Sequence, residues 1–410
     1  MSRSADLVVV GAGPVGLAAA LAARSLGIGV VLLEAEPEGR DRPGSRALYV
    51  HKETLGRLDR MAPGLGSLIA EFGITWSGSR TYYAGREVHA QRYGPAPAKG
   101  LPPYASLRQV DTERFLLDAC KNAGVAIEWG ARVKDVAVAA PGSASGSASS
   151  DGVTVRTEDG GTWTAGYVIG ADGARSAVRG SLGIAMDGER SGDYRLAVDL
   201  ADDGQGDRIM HYRHPSMSGR NVLLVPFAGG LQIDLQCVSA AESAELARPE
   251  AVRRWLPRVL PSAGPEQILW IARYPCLQRV AETFVDDRRR VLLAGEAAHL
   301  FVPFGARGMN SGIADAEAAA AAVAVALRAA HPERAGAALA DYDRVRRQAA
   351  NYNRRCVDAA LRHLKADTVR ARAAQEAAAR LASLVPPLGA WLDKAPYGPR
   401  GAVTLSGGLY

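Results

Sequence analysis

The stretch from Asp6 to Glu34 leaves little choice of fold. Leu7 to Val10 is an apolar, β-branched run, the composition of a strand buried in a parallel sheet. Gly11, Gly13 and Gly16 follow with G-x-G-x-x-G spacing. Leu17 to Ser25 then reads as an Ala-rich helix ended by Gly27, and Val30 to Leu33 as a second apolar strand closed by Glu34. In such a unit the first glycine allows a tight turn, the second lets backbone approach a pyrophosphate, and the third lets helix and strand pack closely. The helix N-terminus offers unpaired N–H groups and a positive dipole end to phosphates. Glu34 stands where an acid accepts hydrogen bonds from a ribose. A bound dinucleotide is the functional reading, and a bare structural turn the alternative. The acid at the end of the second strand favours the first.

The chain has 410 residues, too many for one simple core, so two or three domains are expected. The charge of +6 is modest for that length, and the basic residues are scattered without interleaved aromatics. That argues against nucleic acid as a partner. Cys120, Cys237, Cys276 and Cys356 lie far apart, with no C-x-x-C and no metal-ligand spacing. Reduced structural thiols in a cytoplasmic setting are expected, and no metal site. The Ala run near 316–330 has the composition of a soluble helix, so no membrane span is expected.

Further along, apolar positions recur at helical spacing from Val50 onward, and residues 72–93 alternate like a short antiparallel excursion. Residues 94–103 carry four prolines and mark the crossing back. Asp111-Thr-Glu-Arg before an apolar stripe reads as a helix start. Val125–Trp129, Ala131–Ala139, Val153–Thr157 and Thr162–Thr164 read as strands, with a low-complexity hairpin tip at 141–152. Tyr167 to Arg179 is a buried strand, a Gly-rich turn and a helix start. From 190 to 275 period-2 segments dominate, with one helix near 246–260, the pattern of an inserted antiparallel sheet. Val291 returns to the parallel-strand style. A Gly-rich loop, Phe301 to Asp315, opens a long Ala-rich helix, residues 338–383 are Arg/Ala-rich helices, and Tyr397 to Tyr410 reads as an irregular tail.

Three stretches coincide in order: Gly11–Gly16 with Glu34, then Gly170-Ala-Asp172-Gly-Ala-Arg-Ser, then Ala294-Gly-Glu296-Ala-Ala-His with Pro303-Phe-Gly-Ala-Arg-Gly-Met-Asn310. Together they resemble the single-component FAD-dependent aromatic hydroxylases, the para-hydroxybenzoate hydroxylase fold, over roughly residues 5–350. The resemblance implies an α/β (α+β overall) architecture: a Rossmann-like FAD-binding domain, an inserted antiparallel-sheet substrate domain and C-terminal helices. The expected partition is 1–75, 100–182 and 284–340 for FAD, 76–99 and 183–283 for substrate, and 341–410 for the helical segment and tail. It implies FAD as cofactor, NAD(P)H as co-substrate, and a small aromatic substrate hydroxylated with O₂ through a flavin hydroperoxide. A monomer or homodimer is expected.

Carried over residue by residue, Gly11, Gly13, Pro14, Val15, Gly16, Glu34 and Ala35 would hold the ADP half of FAD. Arg46 and Gln109 would touch the flavin side, and Val133 would lie near the adenine. Asp172 and Gly173 resemble the fingerprint shared by FAD and NAD(P)H binding. Glu296 falls where the family has Asp, one methylene shorter. Pro303 would lie against the flavin ring, with Gly308, Met309 and Asn310 at its pyrimidine edge. Arg46 and Pro303 count as catalytic through that contact. Phenol activation needs a base within hydrogen-bond reach. Met210-His-Tyr-Arg-His-Pro215 resembles the benzoate-hydroxylase stretch and nominates His211, with a strand histidine satisfied by a neighbour as the alternative. His299, His51 and Tyr49 read as structural. A flavin dehydrogenase or reductase without oxygen insertion, or a non-catalytic flavin-binding protein, remain the competing functional classes.

Overall fold

A computed structural model describes residues 3–40, 48–94, 100–139 and 152–397. In chain order the strands are β1 Arg3–Val10, β2 Val30–Leu33, β3 Tyr49–His51, β4 Gly78–Tyr83, β5 Arg86–Arg92, β6 Tyr104–Ser106, β7 Ala126–Glu128, β8 Val133–Val138, β9 Val153–Thr157 and β10 Thr162–Gly170. They continue as β11 Met186–Ala201, β12 Asp207–His214, β13 Arg220–Phe227, β14 Gly230–Cys237, β15 Ile268–Ala281, β16 Val291–Leu293 and β17 His299–Leu300. The helices are α1 Pro14–Ser25, α2 Lys52–Met61, α3 Leu65–Phe72, α4 Gln109–Asn122, α5 Ala177–Ser181, α6 Ala240–Leu246, α7 Pro249–Val259, α8 Arg307–Arg328, α9 Pro332–Lys365, α10 Val369–Leu381 and α11 Pro386–Lys394.

The first sheet runs β7-β2-β1-β10, and β10 is flanked on its far side by both β9 and β16. β1 pairs in parallel with β2 and β10, so the apolar run Leu7–Val10 is buried on both faces. Helix α1 packs against it, α4 and α8 pack on α1, and the alanines let α1 and α8 approach each other closely. β10 is one long strand. The antiparallel segment at Thr162 and the parallel segment at Tyr167 read as separate elements in the sequence, but both pair with β1 in one continuous register.

The second sheet is β17-β15-β11-β14-β13-β12-β4-β5, antiparallel except for the β12–β4 pair. Its outer face packs Leu196, Val198, Val222, Leu224, Ile233 and Leu235 under α7, where Trp255 and Leu256 close a compact core. Its inner face is covered by α9, α10 and α11, through Tyr83, Met210 and Tyr212 against Val357, Leu364 and Leu392.

Three sequence expectations shift. Val50 belongs to a strand, paired with Ala105, and the helix starts only at Lys52. Phe72 ends α3 instead of opening the antiparallel excursion. The helix placed near 246–260 is α7, opened by Pro249, and a second short helix, α6, capped by Ser239, precedes it. The tip at 141–151 and the tail beyond Tyr397 lie outside the described residues.

Candidate active site

The three sequence motifs meet at the carboxyl ends of β1, β10 and β16. The Gly11 amide donates to Leu33 O, the Ala171 amide to Val10 O, and the Ala294 amide to Gly170 O. Such a strand-end crevice is where open α/β sheets bind ligands. Val15 is the common contact. A Cβ on Gly295 would lie 2.8 Å from Val15, and one on Gly312 of α8 would lie 2.5 Å away.

The glycines of the first motif divide their roles. Gly11 has a φ of 98°, and a Cβ there would come 2.6 Å from the Ala171 carbonyl. At Gly16 a Cβ would sit 1.7 Å from Gly11 O, so this position closes the helix onto the turn. Gly13 differs: its Cβ would meet nothing within 4 Å, although it caps α1. The space over Gly13 is therefore a cradle that a side chain would fill. Neither α1 nor α8 has a side-chain cap at its N-terminus, which leaves first-turn N–H groups facing outward. Gly308, in the first turn of α8, is equally open. This arrangement fits a diphosphate-linked cofactor.

Glu34 ends β2 as expected, and it is buried. Its carboxylate accepts the Ala12 amide at 2.6 Å and the Glu36 amide at 3.0 Å, and pairs with Arg40. It thus closes the glycine turn. Ala35 follows it, and Val133, buried, opens β8 after the β7–β8 connection, beside which Glu34 donates to Glu128 O and Glu36 O accepts the Gly130 amide.

Asp172 accepts the Ser176 hydroxyl at 2.5 Å and the Val178 amide at 3.1 Å. It holds the start of α5, and burial raises its carboxyl. Gly173 beside it takes a φ of 78° with open space at its Cβ. Gln109 donates to Glu113 at 2.9 Å, and burial pushes the Glu113 carboxyl up to about 7. Glu296 is exposed on a 3-10 turn, Gly295–Ala297. Arg46 lies outside the described residues.

Asn310 is fully buried and acts through its side chain. Its amide group donates to Tyr49 O at 3.1 Å and Ala306 O at 2.7 Å, and its carbonyl accepts the His51 amide at 2.9 Å. It clips β3 to the start of α8. Met309 is buried beside it. Behind the loop, Asp315 binds the Gly295 amide at 3.1 Å, His299 at 2.6 Å and Arg346 at 2.7 Å.

A cavity with about 700 Å³ of empty space, its mouth included, lies between this loop and the inner face of the second sheet. Pro303, Phe304, Gly305 and Ala306 form one wall, and Tyr49 and Trp76 another. The sheet supplies Arg195, Arg208, Met210, Leu223, Val225, Gln232, Asp234 and Tyr274. The polar members are tied together. Arg195 donates to Asp234 at 2.6 Å, Tyr274 donates to the other carboxylate oxygen at 3.1 Å, and Arg208 pairs with Asp393 of α11 at 2.8 Å.

The sequence reading missed these residues. Their period-2 spacing was visible, but a polar alternate face reads as solvent-facing, whereas here α9–α11 and the loop cover it. His211 goes the other way. Met210 faces the cavity, so His211, one residue on, faces the opposite side of the sheet and pairs with Val222. It stacks on Tyr82 with ring centroids 4.8 Å apart and abuts His214. Burial, then His214, lowers its pKa to about 4. By this alternation the expected base, His211, lies outside the cavity lining.

Fold and site together define a dinucleotide-binding α/β protein with a second sheet roofing a cavity. The chain belongs to the FAD binding domain family, whose pattern matches residues 4–356. A 3-(3-hydroxy-phenyl)propionate/3-hydroxycinnamic acid hydroxylase of Mycolicibacterium smegmatis is 31% identical over 355 residues, 84% of this chain and 58% of that one. A 6-methylpretetramide 4-monooxygenase of Streptomyces rimosus is 31% identical over 323 residues, 76% of this chain and 54% of the relative. The chain thus spans little more than half the length of these two relatives. The crystal structure of a p-nitrophenol 4-monooxygenase from Pseudomonas putida superposes with a TM-score of 0.73 at 24% identity, covering 98% of this chain and 100% of that one, a likeness of fold. No helix among the described residues is long and apolar enough to cross a membrane.

Proposed function

We propose that this chain is an FAD-dependent monooxygenase that hydroxylates a phenolic or other electron-rich aromatic compound, with NAD(P)H and O₂ as co-substrates. The observation that carries the reading is the position of the cavity. One wall is the Pro303–Ala306 loop, which leads directly into the open N-terminus of α8, so a ring in the cavity lies beside the cofactor cradle. The mycobacterial and Streptomyces relatives, named as hydroxylase and monooxygenase, support it.

The proposed roles follow from placement. Gly13, Pro14, Val15, Gly16, Glu34 and Ala35 hold the ADP half, with Val133 toward the adenine, and Asp172 and Gly173 shape the adjoining turn. Pro303 and the backbone of Gly308, Met309 and Asn310 face the isoalloxazine, with the α8 dipole suited to a negative charge there. Bound FAD supplies the redox chemistry. The protein excludes water and orients the ring. The Asp234 carboxylate, supported by Arg195 and Tyr274, is the group that a substrate hydroxyl meets. Four buried free cysteines suit a cytoplasmic enzyme. Assembly as a monomer or homodimer is open to measurement by light scattering.

The test is direct. Purified yellow protein is supplied with NADH or NADPH and a panel of phenols under ¹⁸O₂. Substrate-stimulated oxidation with one labelled oxygen in the product supports the reading. Oxidation of NAD(P)H with an organic product that carries no label would assign the chain to the dehydrogenase class instead.

A further inference from the structure

The inner face of the second sheet is charged yet internally balanced. Arg195, with a side chain 4% exposed, and Asp234, 9% exposed, form one ion pair. Arg208 at 2% and Asp393 at 4% form the other. Each carboxylate has more than one donor. Tyr274 donates to Asp234, while Ser79 at 3.2 Å and Thr81 at 2.9 Å donate to Asp393. The guanidinium of Arg195 lies over the Phe304 ring at 5.4 Å, and that of Arg208 over Tyr397 at 4.7 Å. Both arginines that line the cavity are therefore committed, by charge and by stacking, to groups of this chain.

A ligand carboxylate entering this cavity meets Asp234 on its wall. Arg195 and Arg208 are each already neutralised by a buried carboxylate, so an acid that approaches either one adds a second negative charge beside the first. An ion buried without compensation is heavily penalised. A neutral hydroxyl has no such conflict: it can donate to Asp234, whose two oxygens retain acceptor capacity beside the Arg195 and Tyr274 bonds. The remaining wall is Trp76, Met210, Leu223, Val225 and Phe304, which fits an apolar ring.

We propose that the cavity selects uncharged hydroxyaromatic substrates and discriminates against aromatic carboxylates, with the Arg195–Asp234 pair as the charge filter. This rests on the hydroxylase reading and narrows its substrate class.

The experiment is a binding titration of the FAD-loaded protein, followed by the visible flavin spectrum and by calorimetry. The probes are three matched pairs: 3-(3-hydroxyphenyl)propionate, 3-hydroxycinnamate and 4-hydroxybenzoate, each against its primary amide. The amides are expected to bind at least about tenfold more tightly at neutral pH, because only the acids bury an uncompensated charge. Equal or tighter binding of the acids overturns the proposal, as does failure of every amide to bind. In Asp234→Asn, checked by flavin content, Arg195 loses its counter-charge, and the preference is expected to narrow or invert. An unchanged ratio in a folded variant overturns the filter. If that variant does not fold, the wild-type titrations still decide. Labelled-oxygen transfer to an acid with ordinary coupling removes the charge rule and leaves the hydroxylase reading standing. Absence of any oxygen transfer, with amides still preferred in binding, removes the hydroxylase reading alone.

Discussion

Asp315 and His299 sit 2.6 Å apart, carboxylate to Nε2, both within 1% of complete burial, at the base of the loop that carries Glu296 and Pro303. The same carboxylate oxygen accepts the Gly295 amide, and the other binds Arg346. Burial alone would raise the Asp315 carboxyl, but Arg346 and His299 together hold it below its ordinary value. Asp315→Asn keeps the shape and removes the charge that Arg346 faces. Removing one partner of a buried pair costs about 3–5 kcal/mol. The expected result is a strongly lowered melting temperature and weakened FAD retention, read by calorimetry and by absorbance after gel filtration. A variant with wild-type melting temperature would refute this role.

Gly16 and Gly13 predict different failures. Gly16→Ala places a methyl group against the Gly11 carbonyl, so the turn cannot close and soluble yield should collapse. Gly13→Val meets open space and an ordinary backbone, with φ at −75°. It should fold, with a near-wild-type circular dichroism spectrum, yet emerge colourless. A yellow Gly13→Val protein with full flavin occupancy would show that the cradle is not where the cofactor lies.

His211→Phe should leave oxygen-transfer coupling and kcat/KM within about threefold of wild type, because His211 points away from the cavity. Tyr274→Phe, which strips a donor from Asp234, should reduce kcat/KM by about tenfold or more, the lower end of general acid–base effects. Oxygen uptake and peroxide release, measured together, separate turnover from uncoupling. A large loss of coupling in His211→Phe would restore the base assignment made from the sequence.

Acid should unfold the protein in a defined window. Burial lowers His51, His211 and His363 to about 4 each. In the unfolded chain each takes up a proton near pH 6.5. Between those values the unfolded state binds more protons, so stability falls as pH drops from about 6.5 to 4, by roughly 1–3 kcal/mol per histidine. Urea midpoints measured across that range should decline steeply, and His363→Gln should flatten the decline. A midpoint independent of pH between 4 and 6.5 would contradict the burial of these rings.

Local chemistry made the cofactor half legible. Gly16 and Glu34 make their contacts within their own strand–turn–helix unit, so their spacing carries that geometry, whereas Gly11 packs on the Ala171 carbonyl of a later turn. Asp172 and Gly173 fall in the turn after β10, where Asp172 spends its oxygens on Ser176 and Val178. The cavity was much less legible. Arg195 and Asp234 lie 39 positions apart, and Arg208 and Asp393 lie 185 apart. Only strand register and the packing of α11 bring them together. His211 lies outside the cavity lining, because a motif resemblance fixes a strand but not which of its two faces meets the cavity, and a shift of one residue reverses that.

The long separation between Arg208 and Asp393 also has a temporal meaning. Synthesis at about 5–20 residues per second puts roughly 10–40 s between the two residues leaving the ribosome's active site. During that interval the sheet strand carrying Arg208 exists without the carboxylate that neutralises it. A guanidinium in that state keeps its hydration, so the inner face of the sheet stays wet until α11 has been made. Drying of the cavity is therefore among the last events in the maturation of the nascent chain, and it waits on a helix rather than on the sheet that forms its wall.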